Sequence, residues 1–424
     1  AFGTGVATPT SIAFITGTSY GNQYIKQSSA EASVTGAKGV GEGGTIAVRA
    51  GDDGLVVATK GDGTTAILHD AKGKWITPGL FAALSRIGLA ELDSEDSTNN
   101  TSAGRSKFQT SLRAADSFDP DNTAIAVSRI EGVTRVALVE GVGDGLLSGY
   151  GALADTTGSF NSIFARDVVM YAELGESGAS SAGGSRSAAW TWLTTAIDDA
   201  KAYPRGFSED GEGDLLSSKE ALAFKPVVEG RVPLMIEVHS ATDILQVLTL
   251  RQREPKMKLI LLGATEGWRV ASQIAAAGVP VIVNSLTNLP DRFEELGATL
   301  ENAGRLSAAG VKVAIADPNE ATHNTRLIQQ LAGNAVANGM SWADAFAAIT
   351  SVPASIYGRS DLGSLKSGAI ADVVIWDGDP LELMSSPDAV YIAGVSTPME
   401  SRQTKLRDRY MNLDENKPQA YERE

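Results

Sequence analysis

From residue 124 onward, short apolar runs alternate with stretches of helical spacing, and this alternation constrains the fold more than any other feature of the chain. Residues 233–239 (PLMIEVH), 257–262 (MKLILL), 279–283 (VPVIV) and 311–316 (VKVAIA) read as strands, and helices are predicted at 242–253, 266–277, 291–309 and 325–338. Strands that are apolar along their whole length are covered on both faces, which means a parallel sheet with helices packed over it. The number of such units favours an α/β fold closed into a TIM-like (β/α)8 barrel over an open sheet.

The flanks differ. Residues 1–60 are rich in Gly, Ser and Thr, with short alternating runs at 45–49 and 55–59 that predict strands joined by glycine turns. Near the other end, Ala371 to Trp376 (ADVVIW) is an apolar strand followed by the turn signal Asp377-Gly378. Together these ends predict a small β-sandwich domain built from the N- and C-terminal segments. The expected boundaries are 1–77 and 359–410 for the β-domain, 78–358 for the barrel and 411–424 for a charged tail. The acidic, polar stretch 91–123 reads as a long loop over the barrel mouth.

The chain has 424 residues, 43% apolar and 21% charged, which describes a folded protein rather than a disordered one. A net charge of -15 argues against a nucleic-acid partner, and no basic patch is visible in the sequence. No apolar run is long enough to span a bilayer. The start at Ala1 fits a mature chain with its signal peptide removed, which suggests a periplasmic, cell-envelope or secreted protein. The absence of cysteine excludes disulfides and thiolate metal sites.

In a barrel the chemistry sits at the C-terminal ends of the strands. His239 ends PLMIEVH and Asp317 follows VKVAIA, so imidazole and carboxylate stand where a divalent metal could be held, with Asp317 also a candidate general base. The alternatives are a hydrogen-bonded packing histidine and a capping or turn carboxylate. Glu176 in YAELGESG is either a residue lining the mouth or a turn glutamate. Gly141, Gly143 and Gly145 form a glycine-rich stretch without the order of a phosphate-binding motif, and are read as shaping a βα loop. Trp190 and Trp192 are expected to pack a helix. Of the other two histidines, His69 precedes the barrel, while His323, shortly after Asp317, could reach the mouth from its loop.

Two segments carry a family likeness: residues 75–88 (WITPGLFAALSRIG) and 361–380 (DLGSLKSGAIADVVIWDGDP). On these, and over roughly residues 64–410, the chain resembles the amidohydrolase superfamily, in particular its imidazolonepropionase-like branch. The family opens its barrel with Pro-Gly, an apolar pair and Asp-x-His-x-His, and Pro78, Gly79 and Leu80 match that opening. Ala82 stands in the place of the Asp, Leu84 and Arg86 in the places of the two histidines, and Gly263 in the place of a third. His239 and Asp317 keep the places of a strand-end His and the final-strand Asp, and Arg86 is expected to pair with Asp317 or Glu237. What the resemblance implies is an amidohydrolase frame with a degenerate metal site. Its function would be that of a non-catalytic binding or assembly subunit, as a homo-oligomer or in a hetero-complex with an active paralogue or envelope protein. The alternative is a residual hydrolase of C–N bonds in cyclic amides or dipeptides that uses Asp317 and His239. The cofactor expectation is none, or a single weakly bound divalent metal such as zinc.

Overall fold

The computed structural model describes residues 74–411, apart from 93, 205–214, 318–321 and 367–368, together with the backbone of short strands within residues 18–69. The side chain of His69, Pro318 and the tail 412–424 lie outside the described residues.

Eight strands form one sheet in which each neighbours the next in sequence. In chain order they are Leu80–Ser85, Val133–Leu138, Leu147–Asp155, Ile163–Glu173, Leu234–Val238, Leu259–Gly263, Val281–Val283 and Val313–Ile315. The first and last strands are bridged by the segment at Ala348-Ile349: Ile315 N–H donates to the Ala348 carbonyl and Phe81 N–H to the Ile349 carbonyl. That segment nearly closes the sheet into the expected TIM-like barrel. Apolar residues pack in two layers. Phe81, Ala83, Met235, Ile260 and Ile282 fill the barrel interior, while Leu80, Val136, Ile236, Leu261 and Val281 face the helices outside, as the two-residue period of a strand requires.

The third strand departs from a regular (β/α)8 pattern. It runs antiparallel to both the second and the fourth, so residues 133–173 form a meander without a crossover helix. The glycines at 141–149 therefore shape a strand reversal, not the βα loop predicted from them. The segment between the second and third strands is too short for a parallel crossover, which needs about a dozen residues or more. The glycines also admit the loop above: a Cβ at Gly143 would lie 2.6 Å from the Ala103 carbonyl oxygen, and one at Gly149 2.2 Å from that of Leu112. Residues 91–123 thus lie over this edge of the mouth as expected, held by Gly141 N–H to the Thr101 carbonyl and by Tyr150 N–H to that of Leu112.

The predicted helix at 242–253 occurs as Ala241–Arg253, with the Ser240 hydroxyl accepting from Asp243 N–H at its start. The predicted helix at 291–309 is mostly loop, with a single 3-10 turn at Phe293–Glu295 and a helix only at Asn302–Ala308. Carboxylates supply the competing bonds: Glu295 accepts from Asp291 N–H and Glu266 accepts from Gly297 N–H. Trp190 and Trp192 sit in the helix Arg186–Ala202, half-buried against the outer core.

The terminal segments meet in a separate antiparallel sheet, where Trp75–Pro78 lies between Ile25–Lys26 and Val373–Trp376. The indole of Trp376 is fully buried and donates to Thr77 Oγ1 at 2.8 Å. Asp372, just before that strand, takes the Arg135 guanidinium bidentately at 2.6 and 2.8 Å and fastens this sheet to the second barrel strand. Gly79 is required where the chain passes from sheet to barrel, because a Cβ there would lie 2.2 Å from Thr134 Oγ1.

Candidate functional site

At the C-terminal end of the strands, a buried network of acids surrounds one histidine. His239 follows the fifth strand and is only 5% exposed. Its Nε2 lies 3.2 Å from Glu237 Oε1, while its Nδ1 lies 2.8 Å from Thr265 Oγ1 and 3.1 Å from Glu295 Oε1. Burial pulls the imidazole pKa down, but the hydrogen bond and charge of Glu237, with the charges of Glu295 and Glu294, outweigh it and leave the pKa raised. The charged form of this ring, held between Glu237 and Glu295, is therefore favoured.

The chain continues from Glu237 through a tyrosine. Tyr171 O–H contacts both Glu237 Oε2 and Glu173 Oε1, the latter at 2.8 Å. One hydroxyl carries one proton, so two carboxylates can share it only if one of them is itself protonated. Glu173 is the more readily protonated of the two: burial and the nearby charge of Glu237 push its pKa up, against the hydrogen bond from Tyr171 and the charges of Arg292 and Arg86. Burial also raises the Glu237 carboxyl, yet the hydrogen bond and charge of His239 and the bond from Tyr171 bring it net below its ordinary value. The result is a file of groups in which the neutral form of Glu173, the ionised form of Glu237 and the charged form of His239 are each favoured.

The ring of His239 also occupies space that another side chain would need. A Cβ built on Gly263 would lie 2.5 Å from His239 Cε1 and 2.9 Å from Nδ1, and Gly263 has φ +79°. Any other residue at 263 would be strained and would displace the ring. Thr265, Glu266 and Gly267 have a mechanical role here. Besides the Thr265 contact, Glu266 N–H donates to the His239 carbonyl, and its carboxylate accepts from Ala241 N–H and Gly297 N–H. The loops after the fifth, sixth and seventh strands are thereby tied together.

The residues singled out from the sequence are dispersed. Leu84 is buried in the apolar barrel interior. Arg86 is half-buried, with its Nε enclosed and lacking a hydrogen-bond partner, and its charge acts on Glu173. No ion pair joins it to Glu237 among the described residues, contrary to one of its two expected pairings. Asp317 is half-buried just past the eighth strand, and His323 is exposed on the 3-10 turn Thr322–Leu327. Glu176 lies in the first turn of the helix Gly175–Ser181, 3.7 Å from Arg186, and its N–H donates to Glu294. Among the described residues no group of three or more His, Cys, Asp or Glu side chains that could hold a metal ion is found. Sequence reading missed Tyr171, Glu173 and Glu295. The first two were visible as a strand end, YAE, whereas Glu295 sat inside a predicted helix.

Barrel, terminal sheet and mouth are all features that a comparison with known proteins can check. The model of the amidohydrolase family matches residues 259–403. A crystal structure of an amidohydrolase from Thermotoga maritima superposes over 84% of this chain and 94% of its own, with a TM-score of 0.69 and 22% sequence identity. That likeness establishes the fold. A curated relative, amidohydrolase tasK of Hapsidospora irregularis, is 39% identical over 59 residues, which cover 14% of this chain and 6% of that protein. The matched region of the family model starts at the sixth strand and includes Gly263, Asp317 and the ADVVIW segment.

Proposed function

We propose that this amidohydrolase-fold protein binds or assembles and does not hydrolyse through a bound metal. The observation that carries this reading is the double engagement of His239. A zinc ligand must offer a neutral imidazole lone pair, and both nitrogens of this ring face oxygen partners under charges that favour the imidazolium. The same ring covers Gly263, Leu84 is packed into apolar surroundings, and Arg86 adds a fixed cation at the mouth. This donor set does not fit a zinc centre. In this reading the chain descends from the imidazolonepropionase-like branch and its ligand positions have been replaced. Leu289, Phe293 and Leu296, all strongly exposed on the loop that delivers Glu295, supply apolar surface for a second copy or an active relative. A periplasmic or cell-envelope setting, compatible with a cysteine-free chain, belongs to the same reading.

A second reading is favoured by one feature, Glu173 with its pKa raised beside Glu237 with its pKa lowered, both bonded to Tyr171. Such a pair offers an acid and a base without a metal, and with Asp317 it would suit hydrolysis of a C–N bond in a cyclic amide or dipeptide. The test is elemental analysis of protein purified without chelator, with zinc and manganese add-back, followed by a turnover screen on cyclic amides and dipeptides. The proposal expects substoichiometric metal, no thermal stabilisation by either ion and no turnover. Stoichiometric metal lost in Asp317→Asn, or metal-dependent turnover, would overturn it. Metal-independent turnover lost in Glu173→Gln would establish the second reading.

A further inference from the structure

The opposite end of the barrel holds a cavity that the mouth does not explain. It has a volume of about 560 Å3 and lies under the N-terminal ends of the strands, where Pro233, Lys258, Pro280 and Lys312 each precede a strand. Four of its lining residues are cationic, Arg231, Arg251, Lys258 and Lys312, and one is anionic, Asp167. The chain as a whole has 36 basic residues against 51 acidic ones, so this lining inverts the average. Asp167 is already held by Arg113 Nε at 3.0 Å, which removes it as a counterion for the cavity. Arg231 pairs with Glu229, and Arg251 donates to the Pro255 carbonyl. Among the described residues Lys258 and Lys312 are in no ion pair. Val168, Ile260 and the buried ring of Tyr357 add apolar wall, and the Tyr357 hydroxyl is committed to the Ala83 carbonyl.

Cations that converge on one concave space repel one another, and low-dielectric walls focus their field. A multiply charged oxyanion seated among them turns that repulsion into attraction, with the Lys258 and Lys312 ammonium groups as its partners. The volume suits a small molecule and is far below what a folded partner would fill. We infer that this cavity is a binding site for a small polyanion, a phosphate ester or polycarboxylate, that lays its carbon skeleton against Val168 and Ile260. It stands apart from the His239 network and does not depend on whether the mouth is catalytic.

Isothermal titration of the full chain with pyrophosphate and, separately, with citrate tests this, at low salt and at about 0.15 M. One-to-one saturable binding is expected for at least one of them. It should weaken at the higher salt and fall about tenfold or more in Lys258→Ala/Lys312→Ala. Both lysines are exposed, so the variant should keep the parent's thermal midpoint without ligand. A control removing two exposed cations elsewhere, Lys107→Ala/Lys366→Ala, should bind as the parent does. Pyrophosphate alone would point to a phosphate ester and citrate alone to a polycarboxylate. Absence of saturable binding to both, equal weakening in both variants, or binding confined to an acidic polymer would overturn the inference.

Discussion

His239 and Gly263 act as a unit. The ring needs the space a Cβ would take, and the ring's charge is what makes two buried glutamates tolerable. Replacing His239 by Ala leaves Glu237 and Glu295 buried without their shared cation, and the expected cost is about 3–5 kcal/mol in urea unfolding. A loss below about 1 kcal/mol would mean the carboxylates are neutral in the parent. Gly263→Ala should cost at least about 2 kcal/mol, from the left-handed backbone and the collision with the ring together. The pH dependence has a definite sign. His239 has its folded pKa raised, so its stabilising contribution is fully present below the unfolded value near 6.5 and is lost as pH rises through the folded value. Glu237 has its folded pKa lowered, so its contribution is present above 4.5 and is lost as pH falls through the folded value. The urea midpoint of the parent should therefore decline on the alkaline side, and His239→Ala should flatten that decline. The sequence singled out both His239 and Gly263, but as a retained and a missing ligand. That one fills the place of the other follows from a ring position, which no spacing rule encodes.

Among the elements, the segment ADVVIW shows what a motif can mean physically. It reads from the sequence as a strand, yet its Asp372 fastens that strand to the barrel by taking Arg135 in a bidentate pair and by accepting from Ala393 N–H. Both members of the pair are buried, at 6% and 3% side-chain exposure. Asp372→Ala should cost about 3–5 kcal/mol, and the double variant Arg135→Met/Asp372→Leu markedly less, because the penalty lies in the stranded charge. Thermal unfolding that found the double variant as damaged as the single would show the pair to be favourable in itself. The barrel strands after residue 233 were legible because they are apolar throughout, which only a doubly covered sheet explains. The antiparallel third strand was not. LLSGYGALAD carries too many glycines for a strand signal: Gly149 is there because Leu112 of the loop crosses close above it, and Gly151 because the Leu138 carbonyl and Val169 of the neighbouring strands crowd it. The helix predicted at 291–309 is broken for a related reason: the carboxylates of Glu295 and Glu266 accept from amides within that range.

At the level of the whole molecule, composition described an acidic chain without a basic patch, whereas folding gathers Arg231, Arg251, Lys258 and Lys312 from separate βα units into one cavity. Net charge is a sum and carries no positions, so this concentration exists only once the barrel closes. The same holds at the mouth, where Tyr171, Glu173, Glu237, His239 and Glu295 come from two strand ends and a distant loop. The barrel supplies the frame, and at its mouth the described residues place Glu237, Glu295 and Thr265 around His239. With only three histidines in the sequence, 15N NMR of the imidazole rings can read that centre directly, at neutral pH and through a zinc titration. The account predicts that His239 has both nitrogens protonated and that zinc leaves its signals unchanged. A neutral tautomer whose resonances shift stoichiometrically with zinc would contradict it.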